Sequence, residues 1–249
     1  MFPAAVVDFF AANQELLWLC TLLLDLAGTV ILFRLFGKAG LQVAIATAIV
    51  LANLQGPKLT VIFGLETSLG VIFYSSIFFA TDVLSENYGK DAARRAVHMG
   101  FAVSLIVLLM LSLALMYLPS DRPATAAISN DIHDAFATIL DLTPRFIFGS
   151  LLAYLLSQRF DVWAFHRIKR ITGEKWLWLR NNLSTMSSQI VDTVIYSLVV
   201  WWGVVDLVTA LKLGAAKYVF KLAIAAIDTG FIYWARAMFR HDRAAAATA

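Results

Sequence analysis

Between Arg180 and Thr193 the chain reads Arg-Asn-Asn-Leu-Ser-Thr-Met-Ser-Ser-Gln-Ile-Val-Asp-Thr, a polar stretch leading straight into an apolar run. Read as a helix, Thr185, Gln189, Asp192 and Tyr196 fall at i, i+4, i+7 and i+11, which is one face. The pattern Ser-Gln-x-x-Asp occurs twice, at Ser157-Gln158-Arg159-Phe160-Asp161 and at Ser188-Gln189-Ile190-Val191-Asp192. Carboxylates and amides on one face can bind a polar solute, and a buried carboxylate can carry a proton. An ionisable residue inside an apolar helix costs about 2.5–3.5 kcal/mol at mid-membrane, so it faces protein, water or a ligand.

Other apolar segments carry matching polar stripes. Ser75, Phe78, Phe79, Asp82 and Glu86 share one face, as do Ser150, Tyr154, Gln158 and Asp161. Lys221 and Asp228 stand at i and i+7, and Asn53 lies in an earlier run. These groups are expected to meet in one polar interior, with Gln189, Asp192 and Thr193 facing Asp82 and Gln158. Plainer readings stay open. Asn53, Ser157, Thr185 and Ser188 can simply hydrogen-bond helix to helix. Asp161 can pair with Arg159 or Arg167, Asp82 can cap the loop that follows it, and Lys221 can snorkel to an interface. Asp25 has no assigned role.

The elements that must position these residues follow from composition. Of the 249 residues 60% are hydrophobic and 15% charged, with a mean hydropathy of +0.76. A soluble domain carries about a quarter charged residues. The chain is therefore expected to be an all-α polytopic membrane bundle. With about 20 apolar residues needed per span, seven spans emerge: 16–36, 41–63, 68–86, 97–118, 144–166, 185–205 and 217–238. Gly56-Pro57 should break or kink the second. Ile128, Ile132, Phe136 and Ile139 recur at helical spacing in the loop 119–143, predicting an amphipathic surface helix there. The Ala-rich end after Arg243 is expected to be unstructured.

Most of the 20 Lys and Arg fall on one side of this arrangement, notably Lys90, Arg94, Arg95, Arg167 to Arg180, Arg236 and Arg240. That places the N-terminus outside and the C-terminus in the cytoplasm. Trp163, Trp176, Trp178, Trp201, Trp202 and Trp234 fall near span ends, as an interfacial belt requires. Arg180 reads as an interfacial anchor, and Asn182 or Ser184 as the helix cap. The basic cluster 167–180 is a topology signal, so no nucleic-acid partner is expected. Asp8 and Glu15 precede the first apolar run without a basic n-region, so no cleaved signal peptide is expected. The single Cys20 makes neither an internal disulfide nor a Cys-based metal site. His-Glu-x-x-His, Gly-x-Ser-x-Gly and Gly-x-x-x-x-Gly-Lys-Ser/Thr are all missing. An enzyme is not expected, nor a metal or cofactor.

Several ordered blocks resemble the queuosine precursor transporter family. They are Asn53, Phe79-Ala-Thr-Asp-Val-Leu-Ser-Glu-Asn-Tyr-Gly-Lys90, Ala93-Arg-Arg95 and Pro144-Arg145 with Ser150-Leu-Leu-Ala-Tyr-Leu-Leu-Ser-Gln158. Asp161-Val, Trp178 to Thr185, Ser188-Gln-Ile-Val-Asp-Thr193 and the segment from Lys221 to Asp228-Thr229 complete them. The resemblance implies uptake of 7-cyano-7-deazaguanine or 7-aminomethyl-7-deazaguanine, precursors of a modified tRNA base, across the bacterial inner membrane. It also implies a six-helix core over 41–238. Residues 1–40 then hold an extra helix, and 239–249 a cytoplasmic tail.

A deazaguanine offers adjacent N–H donors, a carbonyl and a flat π face. A carboxylate accepts two parallel hydrogen bonds from such a donor edge, and aromatic rings stack on the face. The expected substrate-binding set is Asn53, Phe78, Phe79, Asp82, Tyr154, Gln158, Gln189, Asp192, Thr193, Lys221 and Asp228. The alternative is a membrane substrate-binding subunit of an ATP-driven vitamin-type uptake system. The partners expected are a deazapurine and the lipid bilayer, and a homodimer is compatible with either reading.

Overall fold

The computed structural model describes residues 2–56, 58–140, 144–173, 175–201 and 206–248, with the side chains of 144–148, 200, 201, 207, 209–211, 213 and 241–248 outside that description. The chain starts with a short helix α1 (Ala4–Ala12) and then α2 (Gln14–Gln55). A hairpin of β1 (Leu59–Ile62) and β2 (Leu65–Ser68) follows. Next come α3 (Gly70–Tyr88), α4 (Lys90–Ala114), α5 (Ala126–Leu140) and α6 (Pro144–Thr172). Helix α7 (Leu177–Tyr196) runs on into one π turn, Ser197–Trp201, before α8 (Leu207–Thr248).

Among the described residues three stretches are long and apolar enough to cross a membrane: Gln14–Gln55, Lys90–Ala114 and Gly214–Arg240. The first and second expected spans lie together in α2, which bends at Gly37 (φ 57°, ψ −131°). That backbone is open to glycine and strained for other residues. Before the bend, Trp18, Leu22, Leu26, Val30 and Phe33 enter the same core as Leu41, Ile45 and Ile49 after it.

The second span was expected to reach residue 63, but its helix stops at Gln55 and residues 59–68 pair as antiparallel strands. The break expected at Gly56-Pro57 is where the helix ends, although Pro57 itself lies outside the described residues. Beyond it, Thr60, Val61 and Ile62 are β-branched and favour extended backbone. Phe63 and Gly64 both have positive φ (51° and 73°), the geometry of a tight two-residue hairpin turn. Ser68 Oγ then donates to Gly56 O at 2.6 Å and accepts from Gly70 N at 3.2 Å, clamping the hairpin between α2 and α3.

Other boundaries also move. Helix α4 starts at Lys90 rather than 97, α7 at Leu177 rather than 185, and the helical backbone of α8 continues to Thr248 instead of fraying after Arg243. Charged and polar first turns do not interrupt a helix whose next turns are buried, so hydropathy alone places its start too late. The amphipathic helix expected in the long loop is α5, and Ile128, Ile132 and Phe136 on it are exposed. Trp163, Trp176, Trp178 and Trp234 are exposed as well; the side chains of Trp201 and Trp202 lie outside the described residues.

Helix α3 is the axis of the bundle, packing against α2, α4, α6 and α8. Every residue from Ser75 to Ser85 is buried. Close approach is needed elsewhere too. A Cβ at Gly100 of α4 would meet the Tyr154 hydroxyl of α6 at 2.5 Å and Ile49 of α2 at 2.7 Å. Gly100→Leu is therefore expected to cost about 1–3 kcal/mol by overpacking and to lower the thermal midpoint in detergent. Gly28→Ala, whose new methyl meets nothing within 4 Å, is expected to leave the midpoint unchanged or higher.

Candidate functional site

Polarity in this bundle is inverted. Leu24, Leu35, Ile106 and Leu109 face outward, while Asp82, Asp161, Asp192, Asp228, Lys221, Gln158, Gln189 and Arg180 are all buried. Burial of so many charges is tolerable only if each finds a partner. The partners come from α3, α6, α7 and α8, in three tiers.

The first tier centres on Asp192. Lys221 of α8 donates to its Oδ2 at 2.6 Å, and Tyr74 of α3 donates its O–H to Oδ1 at 2.5 Å. Ser157 Oγ of α6 lies 3.4 Å from the same Oδ1. The Lys221 ammonium also stands 4.7 Å from the centre of the Tyr74 ring, a cation–π distance. Lys221 is thus a buried ion-pair partner and does not snorkel.

The middle tier holds three carboxyls. Thr185 donates to Asp82 Oδ2 at 3.1 Å, Ser188 to Asp161 Oδ1 at 2.8 Å, and Asn181 Nδ2 to Asp228 Oδ1 at 3.0 Å. Asp161 therefore pairs with Ser188, not with Arg159 or Arg167. The carboxyls of Asp82 and Asp161 lie against one another. Beside them, the side-chain nitrogen and oxygen of both Gln158 and Gln189 have no partner among the described residues. Neither does Asn181 Oδ1. Leaving a buried polar atom unpaired costs about 1–3 kcal/mol, and more than nine in ten such groups are normally paired. Two buried amides on adjacent helices, α6 and α7, can each donate to and accept from a polar group.

The third tier centres on Glu86, near the end of α3. Arg180 Nη2 of α7 lies 2.6 Å from it, Lys169 Nζ of α6 2.9 Å and Arg236 Nε of α8 3.0 Å. Arg180 also donates to Gly173 O and Lys175 O at 3.0 and 3.1 Å, and its guanidinium stacks over Phe165 at 5.7 Å. The interfacial anchor expected of Arg180 is corrected: it is completely buried. The expected cap is corrected too. Trp176 occupies the N-cap of α7 without a side-chain bond, and Asn182 instead donates to Trp178 O and Thr229 Oγ1.

The remaining expected residues are engaged elsewhere. Asn53 Nδ2 donates to Ser104 Oγ of α4 at 3.4 Å, in a recess also lined by Val107 and Ile139. Tyr154 donates to Val97 O of α4 at 3.2 Å, and Thr193 stands against Gly214 of α8. Phe79 joins the main apolar core and meets Phe231 edge-on at 6.4 Å. Phe78 differs: it is fully buried outside that core cluster, its ring 5.8 Å from Tyr74. Asp25 meets Ser76 of α3.

The sequence reading missed Tyr74 and Asn181, and gave Glu86 no partners. Tyr74 was within reach, because it extends the Phe78–Asp82 stripe by one helical turn.

The pairings also give helix directions. Moving from the Asp192 tier to the Glu86 tier raises the residue number on α3, α6 and α8 and lowers it on α7. Three helices therefore run parallel and α7 opposes them, which is the relative alternation expected for these segments.

The chain has recognisable relatives. A family described as "Putative vitamin uptake transporter" matches residues 68–235. A protein of Bacillus subtilis (strain 168) named "Probable queuosine precursor transporter" is 37% identical over 226 residues, covering 90% of this chain and 96% of its own. The chain belongs to the queuosine precursor transporter family. The protein of Escherichia coli (strain K12) named "Queuosine precursor transporter" is 26% identical over 169 residues, covering 67% of this chain and 71% of its own. No solved structure matches the chain. Tyr74, Asp82, Asp192 and Lys221 all lie within the matched family region.

Lys221→Met is expected to cost about 3–5 kcal/mol, because it strands Asp192 buried and uncompensated. Adding Asp192→Leu should restore much of that loss, as read by thermal unfolding in detergent.

Proposed function

We propose that this chain carries queuosine precursors, 7-cyano-7-deazaguanine or 7-aminomethyl-7-deazaguanine, through the bundle formed by α3, α6, α7 and α8. The observation that carries the reading is the pair of orphaned buried amides, Gln158 and Gln189, set beside Asp82 and Asp161. The names of the relatives supply the substrate class. A deazaguanine matches the inventory: adjacent N–H donors for Asp82 or Asp228, a carbonyl for a glutamine amide, and a flat face for Phe78. Asp192 and Lys221 close one end of the slot.

In this reading the seven spans cross the bacterial inner membrane with the N-terminus outside and the C-terminus in the cytoplasm, supported by the Lys and Arg distribution. The Glu86 tier is then the cytoplasmic end. Residues 41–238 form the transport core and 1–40 supply an additional helix. The protein is a transporter and not an enzyme, with a small molecule and the bilayer as its partners.

Purified chain in proteoliposomes should take up labelled 7-cyano-7-deazaguanine without any other protein. Asp82→Asn and Gln189→Leu should each reduce uptake about tenfold or more, the scale of one lost hydrogen bond to a charged group. Asp192→Asn should also reduce it. Unchanged uptake in all three variants would place the substrate elsewhere, and uptake only with an added ATPase would favour the substrate-binding subunit.

A further inference from the structure

We propose that the Asp192 and Glu86 clusters are the two gates of the transport path, both shut in this structure, and that α7 is the element whose tilt opens one at a time. The proposal rests on the slot between them being the substrate site.

The two clusters are built alike. The same four helices each give one residue to each cluster: α3 gives Tyr74 and Glu86, α6 Ser157 and Lys169, α7 Asp192 and Arg180, α8 Lys221 and Arg236. Tyr74 to Glu86, Ser157 to Lys169 and Arg180 to Asp192 are each twelve residues, so the clusters are about 18 Å apart along the bundle. Between them lie the middle-tier groups, Asp82, Asp161, Asp228, their hydroxyl and amide partners and the two glutamines, together with buried apolar side chains such as Phe78. In this proposal a solute reaches those amides by opening the Asp192 cluster or the Glu86 cluster.

Each cluster is a single carboxylate held by groups from other helices, so each is an all-or-none contact of short charge-assisted bonds. Helix α7 carries the carboxylate of one and a buried guanidinium of the other. It is also the helix running against its three partners, and its backbone is irregular at both ends. Gly173 (φ 61°) and Trp176 (φ 63°) take left-handed conformations just before it, and the π turn at Ser197–Trp201 begins five residues after Asp192. Such irregular ends are where a rigid helix pivots. A tilt that withdraws Arg180 from Glu86 presses Asp192 towards Tyr74 and Lys221, and the opposite tilt does the reverse. Opening both at once would break the Arg180–Glu86 and Lys221–Asp192 ion pairs together, so the charges themselves penalise a continuous pore.

The test needs no substrate. The full chain carrying Cys20→Ser and a reporter, Ser184→Cys, is reconstituted in liposomes of known orientation. Ser184 is completely buried on α7 between the clusters. A membrane-impermeant maleimide is then applied from one side at a time. Glu86→Gln should raise the labelling rate about tenfold or more from the Glu86 side only. Tyr74→Phe, which removes one hydrogen bond and keeps the ion pair, should raise it from the opposite side only. Lys169→Gln, the more exposed partner of Glu86, gives a milder variant that should change labelling in the same direction as Glu86→Gln if that protein does not fold. Equal labelling from both sides, or no change in variants that elute as monodisperse protein, would make the clusters structural struts and overturn the proposal. One-sided labelling together with no deazaguanine uptake would uphold the gates and sink the substrate reading alone.

Discussion

Putting carboxylates inside an apolar bundle is the constraint on which the rest of this structure depends. A charge there cannot turn to water, so it must be met by a group from a neighbouring helix at hydrogen-bond distance. Helix α7 takes part in a meeting of each of the five carboxyls in the tiers: Arg180 with Glu86, Asn181 with Asp228, Thr185 with Asp82, Ser188 with Asp161, and Asp192 with Tyr74 and Lys221. A slip of one helical turn, about 5.4 Å, would separate all of them together. Apolar packing alone is far more forgiving of such slips. The polar ladder therefore sets the register of α7 against α3, α6 and α8.

That ladder is built differently at its ends and at its middle. Each end cluster gathers groups from four helices around one carboxylate, within 3.4 Å of Asp192 and within 3.0 Å of Glu86. In the middle tier the side-chain amides of Gln158 and Gln189 have no partner among the described residues. A protein selected for stability alone would fill such positions with apolar side chains, because replacing buried polar groups by well-packed hydrophobes is often neutral or stabilising. Polar amides at the centre, set between two ion-pair clusters, suit the flat, polar heterocycle proposed as substrate. The family match, over residues 68–235, spans the middle-tier residues of all four helices.

The case of Arg180 shows how far local reading carries. Placed after a basic loop and before an apolar run, it has the signature of an interfacial anchor. Its partners are Glu86, 94 positions earlier, and the carbonyls of Gly173 and Lys175 in the loop before α7, where Gly173 and Trp176 turn left-handed. Nothing within a helical window of Arg180 reports that acid. The hairpin 59–68 is similar: its apolar residues extend the preceding run, and only the stop at Gly56 and the clamp by Ser68 make it leave the helix.

What the sequence determined by itself is whatever is local or compositional. The hydropathy, the helical spacing of the stripes through Asp82, Gln158, Gln189 and Asp192, the amphipathic α5 and the family resemblance are all carried by neighbouring residues. A helix face is set by 100° per residue and needs no partner to exist. Only the tertiary structure decided which faces meet, because rotation and register between helices depend on contacts a hundred residues apart. It drew Tyr74 to Asp192 and Glu86 to three cations. It engaged Asn53 and Tyr154 with α4, and it buried two glutamines whose amides have no partner among the described residues.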